Sequence, residues 1–162
     1  MSPIARIFAA GAAVAALATA GVAAAQNFSL NPAYGTVNLA AGFTPDPYVV
    51  NVASGGRIDS SRTVSSSCRG FIADAPDVRL NYRAGSLPLI LSVNSNADTT
   101  LVVNGPDGQW YCDDDGGIQG LNPALRFGSP PSGQYDIWIG TYGNASNQPA
   151  QLVISELDGN TQ

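Results

Sequence analysis

Beyond residue 25, apolar residues recur at every second position, and no window keeps a sustained helical period. Leu87, Leu89, Leu91 and Val93 share one face, and Leu101 and Val103 alternate in the same way. Tyr135, Ile137 and Ile139 lie opposite Trp138, and Leu152 and Ile154 lie opposite Val153. Tyr48 to Val52, Gly70 to Ile72 and Val78 to Tyr82 are shorter β-like runs. Turn chemistry separates the runs at Ser54-Gly55-Gly56, Ala84-Gly85-Ser86, Gly105-Pro106-Asp107-Gly108, Pro130-Pro131-Ser132-Gly133 and Tyr142-Gly143-Asn144. Many short half-buried strands joined by Gly- and Pro-rich turns predict an all-β fold, an antiparallel β-sandwich of jelly-roll type.

The first 25 residues follow a different rule. Arg6 is followed by an uncharged Ala-, Val- and Leu-rich run from Ile7 to Val22, then by small residues up to Ala25. This is the pattern of a secretory signal peptide cleaved after Ala25. The run is short and only weakly apolar, no basic cluster follows it, and no later stretch is apolar enough to span a bilayer, so no stable membrane insertion is expected after cleavage. The expected organisation is a signal peptide at 1–25, a partly ordered lead-in at 26–47, a sandwich domain at 48–158 and a tail at 159–162. The Ser-rich stretch from Ser60 to Ser67 reads as an exposed loop or an edge strand.

Export explains the cysteines. Cys68 and Cys112 are the only two in the chain, and an even count in an oxidising compartment predicts one disulfide. The closed loop of about 45 residues is worth roughly 4 kcal/mol in the chain-entropy picture. Two cysteines without histidine are too few for a zinc site.

The chain has no histidine and no lysine. A serine nucleophile needs one of them as its base, so Ser-His-Asp and Ser-Lys chemistry are excluded. Residues 26–162 carry six arginines against 12 acidic residues, a net charge of −6. That surface repels phosphate backbones, so neither nucleic acid nor anionic lipid is expected as a partner.

Asp113-Asp114-Asp115 is the densest chemical cluster. Adjacent carboxylates repel one another, and Ca²⁺ bound to their oxygens would relieve this. Asp98 and Asp107, on nearby turns, are further candidate ligands. The competing reading is an acidic turn whose carboxylates accept backbone N–H groups. Carboxylate hydrolysis of a glycosidic bond would need two of these groups facing each other across a substrate. Trp110, Tyr111, Trp138 and Tyr142 are the candidate ligand-contact aromatics, with core filling as the alternative.

Asp98 to Val103, Pro106-Asp107-Gly108, Cys112 to Gly116 and Ser132 to Gly140 occur in that order. Together the segment from Asp98 to Ser155 resembles the pre-peptidase C-terminal domain, a β-sandwich module appended to secreted bacterial peptidases. Cys68 to Ile72 and Pro76 to Leu80 look like an upstream continuation of a disulfide-containing variant. The resemblance implies a non-catalytic sandwich, and related collagen-binding modules bind calcium and extracellular protein. Their metal-ligand pattern is not recognisable here, which leaves the acidic turn as the place for calcium.

The expected function is therefore an exported, periplasmic or extracellular, non-catalytic module that binds protein or polysaccharide. A secreted peptidase or glycosidase using carboxylates and a structural envelope component are the alternatives.

Overall fold

The computed structural model describes residues 26–160; the expected signal peptide and the last two residues of the tail lie outside them. Eleven strands occur among the described residues: β1 (Thr36–Ala40), β2 (Tyr48–Ser54), β3 (Ile58–Asp59), β4 (Phe71–Ile72), β5 (Val78–Arg83), β6 (Leu89–Asn94), β7 (Thr99–Asn104), β8 (Trp110–Asp113), β9 (Ala124–Phe127), β10 (Gly133–Thr141) and β11 (Gln148–Ser155). They form a seven-stranded sheet and a four-stranded sheet. In the large sheet β10 is central. Its first half pairs with β5, its last residue with β4, and its other edge with β7, which carries β8. The small sheet runs β2-β11-β6-β9. Every pairing is antiparallel except β1 with β5. The chain is an all-β sandwich with one disulfide, as its alternation predicts.

The core forms where the alternating faces meet. Leu80, Leu89, Leu91, Val93, Leu101, Val103, Tyr135, Ile137, Ile139, Leu152 and Ile154 pack together between the sheets. Each such side chain contributes about 1.5–3 kcal/mol on leaving water. Leu87, placed on the same face by its spacing, lies before β6 and is 40% exposed.

The lead-in differs from expectation. Residues 36–40 form β1, and Val37 enters the core. The segment before β1 is tied to the large sheet: Ala33 and Tyr34 donate backbone N–H groups to the carbonyls of Pro76 and Asp77. Arg79 donates to the carbonyls of Phe28 and Leu30. Long-range pairing with β5 orders this Asn-, Pro- and Gly-rich stretch, and the short alternation of Val37 and Leu39 turns both toward the core.

The Ser-rich stretch is neither a loop throughout nor an edge strand. Ser60–Thr63 makes one helical turn, α1, capped by Asp59, whose carboxylate accepts from the Ser61 N–H. Residues 60–70, which join β3 and β4, form a strap against the outer face of the large sheet. Beneath it Ile72, Val102 and Trp138 make a second, smaller core, with Ile58, Val64, Trp110 and Cys112 against it. The Cys68–Cys112 disulfide, with sulfurs 1.99 Å apart, ties the strap to β8. Close approach requires glycine at position 140, where a Cβ would stand 2.3 Å from the Thr100 hydroxyl and 2.9 Å from Ile72.

Candidate functional site

Strand register decides which of the expected site residues meet. β7 and β8 form a hairpin in which Asn104 pairs with Trp110 and Leu101 pairs with Asp113. Asp107 therefore sits in the turn at one end, while Asp98 and Asp113 to Asp115 lie at the other. A six-residue strand, about 17–20 Å, separates the two groups. Asp107 is occupied in its own turn, accepting from the Gln109 N–H at 3.0 Å and the Tyr111 hydroxyl at 2.5 Å. The Tyr111 bond is the main reason its carboxyl is held below the usual range. Asp107 cannot share a cation with the others.

Asp113 is occupied as well. One oxygen, Oδ2, accepts the N–H groups of Gly116 at 2.7 Å and Ala124 at 2.9 Å. It clamps both ends of the β8–β9 loop, the role of an acidic turn. Among the described residues no group of three or more His, Cys, Asp and Glu side chains is arranged to hold a metal ion. Of the five candidate calcium ligands, pairing sends Asp107 to the far end of the hairpin and backbone donors occupy Asp113, so the five are not brought together as one group. The remaining three do approach one another. Burial, then the charges of Asp115 and Asp114, push the Asp98 carboxyl above its usual range.

The aromatic residues also part company. Trp138 is completely buried, so it cannot contact a ligand. It lies under the strap, 5.4 Å from the half-buried Trp110. Tyr111 points to the other face of β8 and packs edge-on against Phe127 at 5.0 Å. Of the four expected contact residues only Tyr142, 45% exposed, faces solvent freely.

The same end of the sandwich carries two further exposed apolar residues. The β8–β9 loop, residues 114–123, exposes Ile118 (70%) and Leu121 (59%). Leu121 has φ +66° and is the one non-glycine in the left-handed region among the described residues. That conformation costs an L-residue about 1–2 kcal/mol, so the surroundings must enforce it. Thr99 N–H donates to the Leu121 carbonyl at 3.0 Å, and Gly117 N–H donates to the Asn122 carbonyl at 2.9 Å. Asn122 is buried, accepting from the Thr99 hydroxyl at 2.6 Å and donating to the Ser95 carbonyl at 2.8 Å. On the other side of the same segment, Tyr142 N–H donates to the Asp98 carbonyl at 3.0 Å. Leu121 and Tyr142 thus flank Asp98-Thr99. The available clue in the sequence is two isolated apolar residues in the glycine-rich stretch Gly116 to Asn122, where no alternation gives them a core to enter.

Three surface hollows lie elsewhere. One of about 400 Å³ is lined by Asn51, Asn94, Ser95 and Gln151, and one of about 440 Å³ by Gly56, Arg57, Asp74 and Asn147. The third, about 280 Å³, lies between Leu39, Arg83 and Gln134. None is lined by Asp98, Asp107 or Asp113 to Asp115.

Compared with protein families and with curated proteins, the chain matches none in sequence. Among solved structures it is similar to PliG of Aeromonas hydrophila, a periplasmic lysozyme inhibitor of g-type lysozyme. The identity is 12% and the TM-score 0.41, over 74% of this chain and 96% of that one.

Proposed function

We propose that the chain is an exported, non-catalytic module that binds another protein through the β8–β9 loop. The observation that carries this reading is Leu121: a large apolar side chain held out in water, on a backbone kept in a costly conformation by a buried anchor. Preorganised apolar side chains on anchored loops are what a binding surface needs, since the ordering cost is met in folding rather than on contact. The disulfide fits an exported chain.

A carboxylate hydrolase has less support. Asp107 and Asp113 are held by their own turns, and none of the three hollows sets opposed carboxylates across a space. Nor does the loop present a flat aromatic platform for sugar rings, because Trp138 is inside.

The test is surface plasmon resonance with immobilised residues 26–162 against purified exported proteins. A g-type lysozyme, the partner named for the structural neighbour, is one of them. Saturable binding lost in Leu121→Ser and Ile118→Ser but kept in Val49→Ser, on the exposed face of β2, supports the reading. Binding that ignores both loop substitutions sinks it.

A further inference from the structure

We infer that the partner presents a cationic surface around an apolar recess, and that Ile118, Leu121 and Tyr142 enter the recess while Asp98, Asp114 and Asp115 meet its arginines or lysines. The inference rests on the protein-binding reading above and adds the chemistry of the partner.

The apolar part comes from three exposed side chains brought to one end by backbone pairing. Leu121 and Tyr142 each lie one hydrogen bond from Asp98-Thr99, and Ile118 follows Gly117, which is bonded to Asn122. The charge comes from the same place. Among the described residues Asp98, Asp114 and Asp115 make no salt bridge; the arginines in ion pairs there belong to Asp59, Asp136 and Asp158. Asp114 and Asp115, which the β7–β8 register brings beside Asp98 and which raise its carboxyl, thus have no cationic side chain of the described residues paired with them. Folding leaves that repulsion in place, and an incoming cationic side chain would relieve it. The net charge of −6 for residues 26–162 adds long-range attraction of the same sign. An acidic or phosphate-bearing partner would meet repulsion at every step.

Random peptides displayed on phage provide a partner-independent probe. Selection is run on immobilised residues 26–162, once with calcium and once with chelator. The expected result is enrichment of peptides that combine Arg or Lys with Leu, Phe or Trp. Their binding should fall at least tenfold in Leu121→Ser and in the triple variant Asp98→Asn/Asp114→Asn/Asp115→Asn. It should also weaken as salt rises from about 0.05 to about 0.5 M. Circular dichroism and melting temperature check that each variant is folded.

Neutral peptides that need Leu121 but ignore the carboxylates and salt would overturn the cationic partner and leave the loop reading standing. Peptides indifferent to Leu121 and Ile118 would overturn both, as would no enrichment. Binding that requires calcium would assign the carboxylates to a metal instead and overturn the inference.

Discussion

Thr99 grips the β8–β9 loop twice: its N–H donates to the Leu121 carbonyl at 3.0 Å, and its hydroxyl donates to the side chain of Asn122 at 2.6 Å. The first residue of β7 therefore sets the backbone of a loop that leaves from the neighbouring strand. This places Leu121 in a left-handed conformation with its side chain in solvent.

Glycine adopts that conformation without strain. Leu121→Gly is expected to hold stability within about 1 kcal/mol of the parent, with relief of strain offsetting the added chain entropy, while partner binding falls. Urea unfolding checks the first point. A loss above about 2 kcal/mol would mean that the leucine side chain is a packing residue rather than a presented one.

Asn122→Ala removes a buried amide from two partners, the Thr99 hydroxyl and the Ser95 carbonyl. The expected cost is about 1–3 kcal/mol, because both partners are left unpaired. Hydrogen exchange should show faster opening at Gly117 and Thr99, with strands β5 and β10 unchanged.

Asp113→Ala frees the Gly116 and Ala124 N–H groups. Stability should fall by about 1–3 kcal/mol, equally in calcium and in chelator. A loss confined to the calcium sample in thermal melts would show that the carboxylate serves a metal.

Asp77 lies under the lead-in, its carboxylate accepting from the Ile139 N–H at 2.7 Å. Burial outweighs that bond and raises its pKa from 3.8 to about 7. Between those values the folded chain keeps a proton that the unfolded chain has lost, so stability falls as pH rises through the window. Below it both states are protonated and the penalty is absent; above about 7 the penalty is complete, on the order of 4 kcal/mol. Asp77→Asn should flatten the stability profile between pH 4 and 7 in urea titrations. An unchanged slope would rule out Asp77 as its source.

Replacing both cysteines by serine unties the strap from β8. The expected loss is roughly 4 kcal/mol from the freed unfolded chain. Trp138 and Trp110 lie directly beneath the strap, so their fluorescence should shift to the red before the sandwich core unfolds. Coincident loss of fluorescence and far-ultraviolet signal would show that strap and sandwich melt as one unit.

Local chemistry alone determined a good deal. Alternation at Leu89 to Val93, Leu101 to Val103, Tyr135 to Ile139 and Leu152 to Ile154 marks strands that the structure contains, because a strand exposes its two faces every second residue. The single pair of cysteines and the absence of histidine and lysine are likewise independent of the fold. Only the tertiary structure decided which faces are covered and which turns meet. Period two shows that Trp138 opposes Ile137 and Ile139, but both faces of β10 are buried, one against the other sheet and one beneath the strap. Asp107 and Asp113 are six residues apart in the chain, yet hairpin register sends them to opposite ends. Conversely Asp98, Leu121 and Tyr142 are distant in sequence and meet through backbone hydrogen bonds to one short segment. Those bonds depend on partners far along the chain, which no local pattern encodes.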